Sequence, residues 1–279
     1  KSDMRIIGTP AADKNVVVFG SADMNIYGLN ASDGRLLWKI NTEAPVLGAV
    51  TIRNGIAYIG GSDHKFRAID IKSGTVVWSY DGVEGYIETK PLVYDNLVIF
   101  GAWDKNLYAL DKKTGKEVWK WHEGKPGRFY SAAAVWPVAA NGKVFIADTV
   151  WRTKESMVRE TVGLSEDKRR IYSKTMNDSV VCYSATTDFP EKIWASNVGF
   201  GYEHAPSMPV EKEGVVFGST KNGLMFGLDA HTGKVLWKHK VGNSLISTLV
   251  PLSKNKCLFT ATGGKIGLLV IDYKINKHK

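Results

Sequence analysis

A tryptophan recurs at Trp38, Trp78, Trp119, Trp151, Trp194 and Trp237, at intervals of 40, 41, 32, 43 and 43 residues. Four of the six end the same phrase: Gly28-Leu-Asn30-Ala-Ser-Asp-Gly34-Arg-Leu-Leu-Trp38, Ala68-Ile-Asp70-Ile-Lys-Ser-Gly74-Thr-Val-Val-Trp78, Ala109-Leu-Asp111-Lys-Lys-Thr-Gly115-Lys-Glu-Val-Trp119 and Gly227-Leu-Asp229-Ala-His-Thr-Gly233-Lys-Val-Leu-Trp237. A chain with an internal period near 40 is an array of similar units, each too small to bury a core alone. Strand-like runs on both sides of a Gly turn make the array a propeller rather than a helical solenoid.

The third unit shows the anatomy. Lys90–Tyr94 enters as an inner strand, Asp95-Asn96 turns, and Leu97–Gly101 is an apolar second strand. A polar tip, Trp103–Asn106, leads to the alternating Leu107–Leu110, and Asp111–Gly115 turns the chain into Lys116–Trp119. Four strands and three turns make one meander sheet. Gly34, Gly74, Gly115 and Gly233 supply the positive φ that a tight or bulged hairpin demands. Asp70, Asp111 and Asp229 are placed to accept backbone N–H bonds inside those turns, a structural role; no Asp-x-Asp-x-Asp-Gly loop supports a metal reading. Each Trp is expected across the junction with the neighbouring sheet, burying ~150–250 Å², so that truncating one would cost roughly 3–5 kcal/mol.

This pattern resembles the repeats of the PQQ-like β-propeller superfamily, where Ala-x-Asp-x-x-Thr-Gly-x-x-x-Trp ends each blade and the Trp docks on a neighbour. The resemblance spans nearly the whole chain in four clean copies and two degraded ones. It implies an all-β propeller of four-stranded antiparallel blades. It implies function less directly, because the superfamily includes quinoprotein dehydrogenases, the envelope scaffold of outer-membrane protein assembly and other envelope proteins. This chain is closest in kind to the non-enzymatic envelope scaffolds.

Assigning units by their Trp gives seven blades in a single domain over residues 1–279, at about 9–40, 45–80, 89–121, 131–153, 159–197, 204–240 and 244–273. The seventh has three strands and no closing turn or Trp, and an uncovered sheet edge invites pairing with another chain. Met4–Ile7 is the nearest candidate strand, but it matches the approach to an inner strand, as Val83–Glu88 does in the third unit. The expectation is a piece of a longer protein, with the closing strand supplied from before Lys1. Blade four is incomplete: between Asp148 and Thr149 it lacks the counterpart of Ser62–Thr75, and the expectation is a missing stretch there, testable by the Cα separation.

Composition narrows the classes. The chain has 279 residues, 44% hydrophobic, two cysteines and no apolar stretch near the ~20 residues of a membrane span. Cys182 and Cys257 fall a blade apart and read as small buried hydrophobes. The 37 Lys and Arg against 28 Asp and Glu give +9, which suggests an acidic partner or an anionic envelope surface. The charge is spread over turn tips. Lys168-Arg169-Arg170, beside Glu166 and Asp167, reads as a solvated turn, and no basic stripe with interleaved aromatics suggests nucleic acid.

A propeller binds at the face shared by its outer-to-inner loops and the tips between second and third strands. Aligned on the inner-strand starts, Glu88, Tyr130, Glu160 and His204 share a height near the channel mouth, with Lys90 and Arg159 close by and Arg128 and Tyr202 in the same loops. Together they could hold a small polar ligand or a protein partner; the plainer alternative is a wet channel wall whose polar residues pair with one another. Glu88 and Glu160 are an acid and base pair in type, and with His204 they form the weakest reading, an intrinsic lyase or hydrolase. No Gly-x-Ser-x-Gly elbow, His-Glu-x-x-His helix, Cys-x-x-Cys or phosphate-binding Gly loop accompanies them. The quinoprotein dehydrogenases resemble one another in eight blades, a vicinal cysteine pair and a calcium-bound carboxylate; none of their cofactor residues carries over, so no PQQ, other cofactor or metal is expected. The reading is a non-catalytic binding or scaffolding module, periplasmic or otherwise in the bacterial cell envelope. Its alternative is the C-terminal accessory propeller of a larger envelope enzyme such as a phosphoesterase, attached to a catalytic domain.

Overall fold

The structure is a computed structural model, which describes residues 2–122, 136–145, 161–175, 177–187, 191–202, 207–243, 246, 248–261 and 265–272. By contacts the chain divides into two compact units, Lys1–Pro137 and Val138–Lys279. Every regular element among the described residues is a strand.

The first unit holds three four-stranded sheets. The first comprises β1 (Ala11–Asp13), β2 (Val16–Ser21), β3 (Asn25–Asn30) and β4 (Leu36–Asn41), and the second β5 (Thr51–Arg53), β6 (Ile56–Gly60), β7 (Phe66–Asp70) and β8 (Val76–Tyr80). The third comprises β9 (Leu92–Tyr94), β10 (Leu97–Gly101), β11 (Asn106–Asp111) and β12 (Glu117–His122). In the second unit β13 (Val138–Ala140) and β14 (Lys143–Phe145) pair alone. They precede a sheet of β15 (Thr161–Leu164), β16 (Arg170–Lys174), β17 (Asn177–Ser184) and β18 (Lys192–Tyr202). Another follows from β19 (Val210–Lys212), β20 (Val215–Ser219), β21 (Leu224–Asp229) and β22 (Val235–Lys240), and a three-stranded sheet from β23 (Val250–Ser253), β24 (Lys256–Ala261) and β25 (Lys265–Val270). All pairings are antiparallel between consecutive strands. The two incomplete sheets fall where the repeat is degraded in the sequence, in the fourth and seventh units.

Strand alternation explains the core. In the second sheet Ala57, Ile59 and Ile69 face the first sheet, packing with Val18, Ile26 and Trp38. Tyr58, Phe66, Ala68 and Trp78 face the third, packing with Val98, Phe100, Tyr108 and Leu110. A sheet apolar on both faces must be covered on both, so the cores lie between consecutive sheets. The second unit repeats this between its fifth and sixth sheets around Trp194, Phe200 and Phe226, and between the sixth and seventh around Phe217 and Trp237.

The repeated phrase has a physical reading. Each register slips by one residue beside the Trp, between Gly28 and Leu29, Ala68 and Ile69, Ala109 and Leu110, Cys182 and Tyr183, and Gly227 and Leu228. The residue paired with each Trp is small, because the indole folds back over it: a Cβ on Gly28 would lie 2.1 Å from Trp38 Cε2. The indole N–H of Trp38 donates to the Ile71 carbonyl at 2.7 Å, that of Trp78 to Lys112 at 3.1 Å and that of Trp194 to Ala230 at 3.1 Å. Each acceptor opens the next sheet's Gly turn. In that turn Gly74, Gly115 and Gly233 have φ of 74°, 71° and 73°, and a Cβ on any of them would lie 2.6 Å from an indole atom of the preceding sheet's Trp. Asp70, Asp111 and Asp229 each accept two backbone N–H bonds and one hydroxyl bond within the turn. Trp119 is half-buried, and Trp151 lies outside the described residues.

Some boundaries differ from the sequence reading. The fifth outer strand, expected to end near 197, runs to Tyr202 because β17 lengthens with it and Asn177 pairs with Tyr202. Gly199 and Gly201, which read as loop residues, are absorbed into the strand at φ of 70° and 77°. Met4–Ile7 forms no strand. Arg5 O accepts from Ala22 N at 3.0 Å as Tyr86 O accepts from Trp103 N at 3.0 Å, so this segment does run as an approach to an inner strand. The junction of Asp148 with Thr149 lies outside the described residues.

Candidate binding face

At one end of the sheets, the tip between second and third strands meets the loop that arrives from the preceding sheet. Met24, His64 and Lys105 sit at the turn of three such tips with φ of 64°, 63° and 70°, and an Asp precedes each. Asp23 accepts from Asp3 N at 3.0 Å and from Tyr27 OH at 2.7 Å. Asp104 accepts from Glu84 N at 3.1 Å, Asn106 N at 2.9 Å and Tyr108 OH at 2.5 Å. Asp63 accepts from Lys65 N and from both terminal nitrogens of Arg67. Each carboxylate ties tip, strand and incoming loop together, so the face is held rigidly where loops would otherwise move. Burial pushes the Asp63 carboxyl up, but the Arg67 bonds and charge outweigh it and hold it below the ordinary carboxylate range. The sequence reading missed these three residues, although their intervals of 40 and 41 match those of Trp38, Trp78 and Trp119.

On this base stand two of the exposed aromatics of the first unit. Tyr86 is 51% and Trp103 39% exposed; the His64 and Tyr86 rings meet edge-on at 5.3 Å. The Trp103 indole N–H donates to Glu88 Oε2 at 2.9 Å. Lys90, two residues on, turns to a different indole, with its Nζ 5.0 Å from the Trp136 ring centroid. Burial holds the Lys90 ammonium below the ordinary lysine range. Glu88 and Lys90 therefore share one incoming segment and serve separate indoles. Arg128, Tyr130, Arg159, Glu160 and His204 lie outside the described residues, as does the side chain of Tyr202 at the end of β18.

In the second unit, β16 ends in Lys174, which is 3% exposed. Its register position in the first and second sheets holds Gly20 and Gly60, where a Cβ would strike Val46 and Ile87. Here the ammonium donates to Ser207 Oγ at 2.6 Å and Ser219 O at 2.7 Å, and lies 5.8 Å from the Phe200 ring centroid. A polar brace between fifth and sixth sheets thus replaces an apolar contact. A lone Lys in an apolar strand gave no warning of it.

Among the described residues no three His, Cys, Asp or Glu side chains gather to hold a metal ion. No helix among them is long and apolar enough to cross a membrane. Cys182 and Cys257 are both buried free thiols, pushed up to about 12 and about 11 by burial, so neither is a nucleophile at neutral pH.

Comparison with known proteins agrees with the repeat. A family model described as outer membrane protein assembly factor BamB matches residues 1–148 and 188–275. The BamB of Yersinia pestis is 27% identical over 157 residues, 51% of this chain and 38% of that protein. The BamB of Moranella endobia is 21% identical over 280 residues, 95% of this chain and 62% of that one. A quinohemoprotein alcohol dehydrogenase of Comamonas testosteroni is 33% identical over 135 residues, 43% of this chain and 19% of the enzyme. The chain thus spans less than two thirds of the length of each of these relatives. The crystal structure of BamB from Moraxella catarrhalis superposes with a TM-score of 0.54 at 19% identity, over 96% of this chain and 72% of that one. With the family matched over most of its length and the repeat accounted for sheet by sheet, the chain belongs to the BamB family of PQQ-like repeat β-propellers.

Proposed function

We propose that this chain is a non-catalytic scaffold of the bacterial cell envelope, working in the periplasm and holding protein partners during outer-membrane protein assembly. The observation that carries the reading is the family match along residues 1–148 and 188–275. In this reading the seven sheets are seven blades, Trp38, Trp78 and Trp194 dock on the Gly turn of the next blade, and the tip face is the working surface. Tyr86 and Trp103, exposed on a rigid base, have the character of interface anchors. Glu88 and Lys90 belong to that face, and Arg128, Tyr130, Arg159, Glu160, Tyr202 and His204 are assigned to it from their sequence positions.

The reading includes no quinone cofactor, because Cys182 and Cys257 are not the adjacent pair that the quinoprotein dehydrogenases share. No observation favours an attached catalytic domain. The test is capture of partners from envelope extract by the full-length protein and by a Tyr86→Ala, Trp103→Ala variant, beside the β-barrel content of the outer membrane in a strain lacking the gene. Expected are barrel-assembly proteins on the unmutated bait, a roughly tenfold loss on the variant, and depleted barrels in the strain. Normal barrel content together with no captured assembly protein would overturn the reading.

A further inference from the structure

The opposite end of the fifth sheet carries a feature that the scaffold reading does not use. Beside the β15–β16 hairpin lies an open concavity of about 250 Å³ lined by Asp167, Arg169, Arg170, Ser184, Thr186 and Ile193. Five of these six residues lie in 149–187, the stretch that the family model leaves unmatched. In the sequence Lys168-Arg169-Arg170 reads as a solvated turn. The structure agrees for Glu166–Arg169, which form an exposed turn, while strand pairing sets Arg170 opposite Ser184 and beside the neighbouring sheet.

Several contacts fix the hairpin and the Arg170 guanidinium, while the Arg169 side chain is exposed. Ser165 Oγ accepts from the backbone N–H groups of both Arg169 and Arg170, at 3.0 and 2.9 Å. Glu166 ties the hairpin to the sixth sheet through Lys212 Nζ and Glu213 N, each at 2.8 Å. Arg170 Nη2 lies 3.0 Å from His231 Nδ1 on that sheet; since a guanidinium only donates, the imidazole nitrogen accepts.

The donors left over define the ligand. Each guanidinium has five N–H groups, and only part of Arg170's set is engaged. Ser184 Oγ and Thr186 Oγ1 are 2.9 Å apart, so one hydroxyl proton is shared between them and the other is free. Asp167 accepts from Ser165 Oγ and Arg169 N through one oxygen, and its other oxygen is 3.7 Å from Arg170 Nη1. Its charge acts on both guanidiniums, and Glu211 of the sixth sheet also acts on Arg170; among the lining residues two are cationic and one is anionic. Donors converging from two forks and a hydroxyl suit a tetrahedral dianion with three terminal oxygens better than a planar carboxylate with two.

We infer that this concavity is a binding site for a phosphate monoester, carried either by a soluble ester or by a lipid headgroup. The test uses the full chain, titrated with phenyl phosphate by calorimetry and sedimented with phosphatidylcholine vesicles containing phosphatidic acid or, as a diester control, phosphatidylglycerol. The variants are Arg169→Gln, which leaves the Arg170–His231 contact in place, Ser184→Ala, and Lys168→Gln, a charge-matched control outside the concavity. Expected is saturable binding weakened about tenfold in Arg169→Gln, several-fold in Ser184→Ala and less than twofold in Lys168→Gln, at unchanged thermal midpoints. Tight phenyl phosphate binding assigns a soluble ester; binding confined to phosphatidic acid vesicles assigns a lipid headgroup. Equal loss in Lys168→Gln and Arg169→Gln, equal binding of acetate, or no saturation with either probe would overturn the inference.

Discussion

The indole N–H groups in this fold do not share one fate, and the difference can be measured. Trp38, Trp78 and Trp194 donate to a carbonyl of the next sheet, whereas the buried Trp237 indole N–H has no partner among the described residues. Replacing a donor indole by Phe removes a hydrogen bond and strands a carbonyl, at ~1–3 kcal/mol. Urea denaturation should therefore find Trp38→Phe and Trp194→Phe costlier than Trp237→Phe by about 1–2 kcal/mol; equal costs would show that the bond contributes nothing. The turn glycines offer a second contrast. Gly34 and Gly74 have the same positive φ, but a Cβ on Gly34 meets nothing within 4 Å and one on Gly74 meets the Trp38 ring. Both Ala variants pay the left-handed strain of ~1–2 kcal/mol. Gly74→Ala should cost at least ~1 kcal/mol more through overpacking, read from the shift in denaturation midpoint at constant m.

At the scale of the element, the Gly turn is a proton-linked device. Backbone and hydroxyl bonds from Ser73 hold the Asp70 carboxyl below the ordinary range, and those from Thr114 do the same for Asp111. A carboxylate depressed in the folded state contributes stability that is present above its unfolded pKa and lost as pH falls through its folded value. The first sheet contains its own control. Asn30 accepts from Ser32 N at 2.8 Å with no charge to lose. Asp70→Asn, Asp111→Asn should thus be nearly neutral at pH 7 and should flatten the fall in stability below about pH 4; an unchanged acid limb in the thermal midpoints would refute the linkage. The tip is less forgiving. Asp63 and Arg67 pair with side chains 1% and 9% exposed, so Asp63→Ala leaves a buried guanidinium uncompensated, at roughly 3–5 kcal/mol. Arg67→Met, Asp63→Leu should recover much of that loss, and a double variant as unstable as Asp63→Ala would argue that the carboxylate acts mainly through the incoming loop.

Across the whole molecule the same gradient repeats in each complete sheet. Second and third strands are sealed, as Val98, Ile99, Phe100 and Tyr108 are, while outer strands expose Leu36, Val77, Val118 and Ile193. Hydrogen exchange should find the amides of β10 and β11 opening only with global unfolding and those of β4, β8 and β12 by local fraying; uniform protection would contradict this. The legibility of the chain follows from where its constraints sit. The period of 40, the Gly turns and the four-strand meander were readable because positive φ, strand alternation and a small residue opposite each Trp are local demands that a sequence states directly. The tip aspartates were equally periodic but hidden among ordinary turn residues, since Asp23, Asp63 and Asp104 reveal their role only through the loops they hold. Glu88 and Lys90 could be singled out from their segment, yet their indole partners depend on where Trp103 and Trp136 are carried. The sequence alone determined the repeat, the sheet type and the family, because these rest on backbone conformations and apolar periodicities within about 40 residues. Tertiary structure alone decided that Trp237 meets no acceptor among the described residues, that Lys174 braces two sheets and that Arg169 and Arg170 line a concavity, because each of these depends on what a neighbouring sheet presents across the gap.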